Sequence, residues 1–193
     1  LEIQKAYCAA GADIIKTNTF GSMNWVLDEY NLGARAYELS YLGAKIAKDA
    51  CMEYAHIKPR YVAGALGPGT KLPSLGHMGY DAMYQGYAEA ARGLIDGGVE
   101  LFLIETAQDP LQIKAALHAI FDTMEALHVT LPVMVSVTIE LSGTMLIGTD
   151  AATIASILEP FELFSLGFNC GTGPEQVLSH VKTLSEVWAG PIS

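Results

Sequence analysis

Two residues stand where apolar runs end and polar chemistry can begin. Glu105 closes the run Leu101-Phe102-Leu103-Ile104, and Cys170 closes Gly167-Phe168-Asn169. A carboxylate at the exit of a buried strand can take a substrate ammonium through a charge-assisted hydrogen bond; the same group in a loop is merely solvated. A cysteine there is either a small packing residue or a thiolate acting as nucleophile or metal ligand. Alone it cannot hold zinc, which takes three or four protein ligands. Cys8 and Cys51 fall in helical segments and read as packing residues.

The other chemical signals are weaker. The loop Gly64-Ala65-Leu66-Gly67-Pro68-Gly69-Thr70-Lys71 looks like a phosphate cradle, but Thr70 separates Gly69 from Lys71, so it is not a Walker loop. It is either a tight turn whose glycines allow positive φ or a turn that offers backbone N–H groups to an anion. His56, His77, His118, His128 and His180 show no metal-ligand spacing. Ser136, Ser142 and Ser165 have no paired histidine, which speaks against a hydrolase triad. Phe20 and Trp25 follow Thr17-Asn18-Thr19 and either wall a substrate pocket or pack the loop.

The elements that must carry these residues repeat one alternation. Strands are expected at 13–17, 61–66, 101–105, 133–138 and 163–168, with helical segments near 34–56, 80–97, 110–127, 150–158 and 174–187. Residues up to Gly11 read as the end of a further helix. Asp109-Pro110 supplies an N-cap and a proline at the first helical position. Strand–helix repetition with near-continuous apolar strands means a parallel sheet covered by helices. No glycine-rich dinucleotide loop follows Thr17, as an open doubly wound sheet usually requires. Polar residues of different kinds end nearly every strand instead, which is how a barrel gathers an active site on one face. The expected fold is α/β, a partial (β/α)8 barrel with about five of its eight βα units present.

Composition sets the outer limits. Of 193 residues, 51% are hydrophobic and 17% charged, which excludes disorder as the main state. The formal net charge of −10 argues against nucleic acid and against anionic lipid as partners. No apolar stretch reaches the roughly 18 residues of a membrane span. Three widely separated cysteines make no disulfide framework and suit a reducing compartment, so a cytoplasmic location is expected. The chain opens on Leu1 inside a helical pattern, and Gly190-Pro191-Ile192-Ser193 reads as the first step of another strand. Residues 1–193 are therefore expected to be a barrel domain truncated at both ends.

Several motifs in order carry a family resemblance. They are Gly11-Ala-Asp-Ile-Ile-Lys-Thr-Asn-Thr-Phe20, Gly64-Ala-Leu-Gly-Pro-Gly69, Leu103-Ile-Glu-Thr106 with Gln108-Asp109, and Gly167-Phe-Asn-Cys-Gly171. Thr70 to His77, and Val135 to Glu140 with Gly143 to Leu146, point the same way. Together they resemble the homocysteine S-methyltransferase family over essentially the whole chain. The likeness is closest to the homocysteine-binding module of the cobalamin-dependent methionine synthases.

The resemblance implies a zinc ion at the C-terminal mouth of the barrel, held by three cysteines. Cys170 matches the first of them, and an adjacent pair would lie beyond Ser193. The family's first strand, with its Asp-Gly segment, would precede Leu1. Glu105 would meet the homocysteine ammonium, Thr17, Asn18 and Phe20 would line the amino-acid pocket, and Asn169 would sit beside the metal ligand. The implied reaction is zinc-dependent methyl transfer to the homocysteine thiol, giving methionine. The methyl group would come from cobalamin on a separate downstream domain, and the partners would be folate- and cobalamin-binding domains of the same longer chain. With one zinc ligand of three, these residues alone are expected to be inactive. Two other readings stay open: an inactive barrel module, and a barrel enzyme that binds phosphate at the Gly64–Gly69 turn and uses Glu105 as a base.

Overall fold

A computed structural model describes residues 1–193. Five strands, β1 (Ile14–Lys16), β2 (Tyr61–Leu66), β3 (Leu101–Ala107), β4 (Val133–Val137) and β5 (Ser165–Phe168), pair in parallel and lie side by side in sequence order. An order that never reverses means every crossover turns the same way, so the connecting helices share one face. A doubly wound sheet would reverse at a switch point. The sheet is thus five consecutive strands of a βα barrel, as the residue pattern anticipated. Ile192 bridges Leu166 in parallel beside β5.

The helices are α1 (Glu2–Ala9), the short α2 (Asn24–Leu27), α3 (Ala36–Glu53), α4 (Tyr80–Asp96), α5 (Pro110–Ala126), α6 (Ala151–Leu158) and α7 (Pro174–Val187). Two starts follow from capping chemistry. Asp109 accepts from Leu111 N at 2.8 Å ahead of Pro110, and Asp150 accepts from Thr153 N at 2.7 Å. Gly93 and Gly97, one turn apart, set the contact of α4 with α3. A Cβ at Gly93 would stand 2.4 Å from Tyr37 O, and one at Gly97 2.6 Å from the Ala44 Cβ. No helix is long and apolar enough to cross a membrane.

Strand residues alternate between two environments. Val62, Phe102, Ile104, Val133, Val135 and Leu166 are buried in one core with Leu94, Ile113, Leu117 and Ile120 of the helices. Burying a side chain such as Phe102 contributes about 3 kcal/mol at most. The alternate residues share the opposite, inner face. The register sets Lys16 beside Ala63 and Ala63 beside Leu101, so Glu105, four residues on, lies on that same side. Ser136 and Gly167 pair directly, one residue on from the core pair Val135 and Leu166, and so share the inner face.

The structure differs from expectation at the element ends. β3 continues two residues past Glu105, with a register irregularity between Ile104 and Ala107 where Thr106 takes a φ of 60°. β5 begins at Ser165 rather than Leu163. β1 is only Ile14–Lys16, although Tyr61 N still donates to Asp13 O and Thr17 N to Ala63 O. The short α2 was not anticipated.

Candidate active site at the carboxyl ends of the strands

The ends of β3, β4 and β5 are tied together by one carboxamide. Asn169, just past β5, accepts at Oδ1 from Thr106 N at 2.9 Å and from Ser136 Oγ at 2.8 Å. Because a peptide N–H can only donate, the oxygen is fixed at that position and Nδ2 faces the other way. Nδ2 donates to Thr106 Oγ1 at 2.9 Å and approaches Cys170 Sγ at 3.4 Å. Thr138 Oγ1 donates to Asn169 O at 3.1 Å. Three strands thereby fix the residue that precedes Cys170.

Cys170 is exposed and unpaired, not the buried small hydrophobe that a strand-end cysteine often is. Its φ is 59°, and Thr106 Oγ1 lies 3.9 Å from its sulfur. Non-glycine residues at such φ are uncommon, and a left-handed conformation costs roughly 1–2 kcal/mol. Cys170, after β5, and Thr106, in β3, both adopt it, although β4 lies between the two strands.

Glu105 is buried, and its carboxylate is not free. Lys16 Nζ donates to Oε1 at 2.9 Å and to Oε2 at 2.8 Å. The pair is lopsided in solvent: the Lys16 side chain is 54% exposed and that of Glu105 10%. Lys16 was not among the residues that sequence reasoning singled out. The available signal was its charge, since Lys16 and Glu105 are the only charged residues within the five strands.

From Ile14 to Phe20, exposure alternates residue by residue. Lys16, Asn18 and Phe20 are exposed, while Thr17 and Thr19 are buried. The Thr17 hydroxyl is committed to structure: it accepts from Ala65 N at 2.9 Å and meets Thr19 Oγ1 at 2.6 Å, while Thr19 Oγ1 donates to Ala65 O at 2.7 Å. Asn18 and Lys16 stand at the polar end of an open groove of about 710 Å³ whose other lining is largely apolar, from Leu1, Ile3, Tyr7 and Ile46. Phe20 lies against Gly67, where a Cβ would come within 2.6 Å of the ring. Trp25 packs the loop instead: it is buried edge-on against Tyr87, ring centroids 4.9 Å apart.

The Gly64–Gly69 turn is filled from within the chain. Phe20 covers Gly67, and a Cβ at Gly69 (φ 65°) would stand 2.6 Å from the Trp25 indole nitrogen. Gln112 donates to the Tyr87 hydroxyl at 2.7 Å, which donates to Gly67 O at 2.8 Å. Thr70 donates to Glu29 at 2.9 Å, which sets a carboxylate beside the turn. These contacts fit a packed turn better than a phosphate cradle. Behind it, the buried Asp109 accepts from Ser74 N at 2.8 Å and Ser74 Oγ at 2.7 Å as well as from its own helix.

Of the residues suited to a metal at this mouth, Glu105 is paired with Lys16 and Cys170 is an exposed free thiol. That thiol fits one position of a zinc ligand set. No group of three His, Cys, Asp or Glu gathers around it or elsewhere, so these 193 residues do not form a whole site.

An exposed thiol and a charge-paired carboxylate held where the parallel strands of a barrel end define a class, the βα-barrel enzymes. Within that class the chain belongs to the homocysteine S-methyltransferase family, whose model it matches over residues 1–193. It is 40% identical over 192 residues to the methionine synthase of Mycobacterium tuberculosis, and equally to that of Mycobacterium leprae. The match covers 99% of this chain and 16% of each relative, so the chain spans about a sixth of their length. In fold it resembles the metallated form of the homocysteine methyltransferase MmuM from Escherichia coli, with a TM-score of 0.81 at 19% identity, covering 99% of this chain and 69% of that one.

Proposed function

We propose that this chain is part of a homocysteine-binding barrel module that serves methyl transfer to the homocysteine thiol to give methionine. The observation that carries this reading is the exposed Cys170 thiol, held at the strand-end mouth by Asn169 on the same strand ends as the buried Glu105 carboxylate. Cys170 supplies one zinc ligand, and the remaining ligands come from residues outside these 193. The metal, when bound, provides the positive charge that keeps a coordinated thiol deprotonated and so nucleophilic.

The chain's own residues do the rest. Asn169 fixes the Cys170 backbone. Glu105 receives the substrate ammonium by a charge-assisted hydrogen bond, and Asn18 and Phe20 flank the amino acid, with Thr17 holding the loop that carries them. Orienting the thiol in this way removes much of the entropic barrier to its attack on a methyl group. The methyl group comes from cobalamin on another domain of the same longer chain, recharged by a folate-binding domain, in keeping with the much greater length of the mycobacterial relatives.

The test is Cys170→Ala in the full-length protein. Zinc content should fall below one per chain and methylation of homocysteine should stop. Full zinc occupancy in that variant would remove Cys170 from the ligand set. Glu105→Gln should weaken homocysteine binding and leave zinc in place; an unchanged affinity would take Glu105 out of the site.

A further inference from the structure

The pairing of Lys16 with Glu105 joins the only two charged residues of the sheet, of opposite sign, on one face and from strands separated by β2. The residues of β2 facing the same way beside Lys16, Ala63 and Ala65, are small, which leaves the long lysine side chain a path toward β3. A buried carboxylate without a counter-charge is strongly disfavoured, so in the ligand-free protein Lys16 neutralises Glu105.

Charge balance decides what ligand this pair accepts. A simple amine taken by Glu105 would displace Lys16 and leave an ammonium without a partner. A zwitterion does not. Its ammonium goes to Glu105, its carboxylate to the lysine, and every charge keeps an opposite neighbour. The structure leaves the lysine available for this: two of its N–H donors point at Glu105, Nζ donates to no other group, and the side chain is half-exposed at the groove that also reaches Asn18.

We propose that Lys16 is a specificity residue that binds the α-carboxylate of the amino-acid substrate while Glu105 holds its ammonium. This rests on the assignment of Glu105 made under the proposed function. Together the two side chains select an α-amino acid over a thiol that carries an amine alone.

The experiment is calorimetric titration of the full-length protein with L-homocysteine and with 3-mercaptopropylamine, which keeps the thiol-to-amine spacing and lacks the carboxylate. Lys16→Met should weaken homocysteine binding by about ten- to a hundredfold, the loss of a hydrogen bond between charged groups. It should leave 3-mercaptopropylamine binding unchanged or tighter. Lys16→Arg, which keeps the charge, should hold homocysteine within about threefold of wild type and serves as the control for folding. Zinc content should be the same in all three proteins. Unchanged or tighter homocysteine binding by Lys16→Met overturns the proposal and reduces Lys16 to a counter-ion. Equal weakening of both ligands also overturns it, because the lysine then acts only by placing Glu105. Undiminished homocysteine binding in Glu105→Gln would instead defeat the underlying assignment, whatever Lys16→Met does.

Discussion

The Asn169 carboxamide and Thr106 grip each other at both ends: the Thr106 peptide N–H donates to Oδ1 and the Thr106 hydroxyl accepts from Nδ2, each at 2.9 Å. One side chain thus aligns the residue after Glu105 with the residue before Cys170, although 63 positions separate them in sequence.

Asn169→Ala should strip the acceptor from Thr106 N and Ser136 Oγ and cost about 2–3 kcal/mol, the penalty for buried donors left unmade. Asn169→Asp keeps the acceptor and loses the donation to Thr106 Oγ1. We expect Asn169→Asp to fold with near wild-type stability and to lose about tenfold or more in turnover, the effect of a misplaced reactive group. Denaturant unfolding and steady-state kinetics on both variants check this.

Gly67→Ala should collide with Phe20, whose ring would lie 2.6 Å from the new Cβ. The expected cost is about 1–3 kcal/mol, typical of overpacking, with a raised KM for homocysteine as Phe20 is pushed aside. Adding Phe20→Ala should restore the stability without restoring KM. A double-mutant cycle on melting temperature and KM measures both effects.

Asp109→Ala should release the segment around Ser74 and uncap α5 together, because the fully buried carboxylate serves both. Loss of a cap alone costs about 1 kcal/mol, and the stranded Ser74 N–H adds about 1–3 kcal/mol. Limited proteolysis should cut the variant faster near the exposed Leu75, with wild type as the reference.

Alkaline pH should erode stability in part through Cys51. Burial, aided by the neighbouring Cys8, pushes its thiol up to about 11. The unfolded chain releases that proton near pH 8.5, so between these values the folded state binds more protons and stability falls as pH rises, by up to about 1.4 kcal/mol per unit. Below pH 8.5 the contribution is complete. Burial also raises Tyr87, so the comparison to make is with Cys51→Ala, whose stability should decline less steeply in urea titrations from pH 8 to 10.

How much of this is legible in the sequence follows from the kind of signal. The bounds of β2 and α7 are legible to the residue, because a run with no charged residue, following Lys58-Pro59-Arg60, and a proline-led helix each announce themselves locally. Glu105 and Cys170 were visible because each interrupts an apolar run. Lys16 was passed over as one more member of a strand at 13–17, although a lysine between Ile15 and Thr17 breaks the apolar pattern as plainly as Glu105 does. The bulge at Thr106 could not be foreseen, since a β-branched residue has little tendency toward positive φ. The links from Asn169 to Ser136 and Thr106 join distant strands, and no local pattern records such a meeting.

The backbone at position 170 has a conformation that glycine would adopt without penalty, and the next residue, Gly171 at φ 67°, does so. A substitution that removed the side chain at 170 would therefore ease the chain rather than burden it, and a Cys170→Gly protein should be no less stable than its parent. The strained backbone is thus a cost tied to carrying a side chain at 170, and it is the sulfur, rather than the shape of the loop, that a substitution there would test.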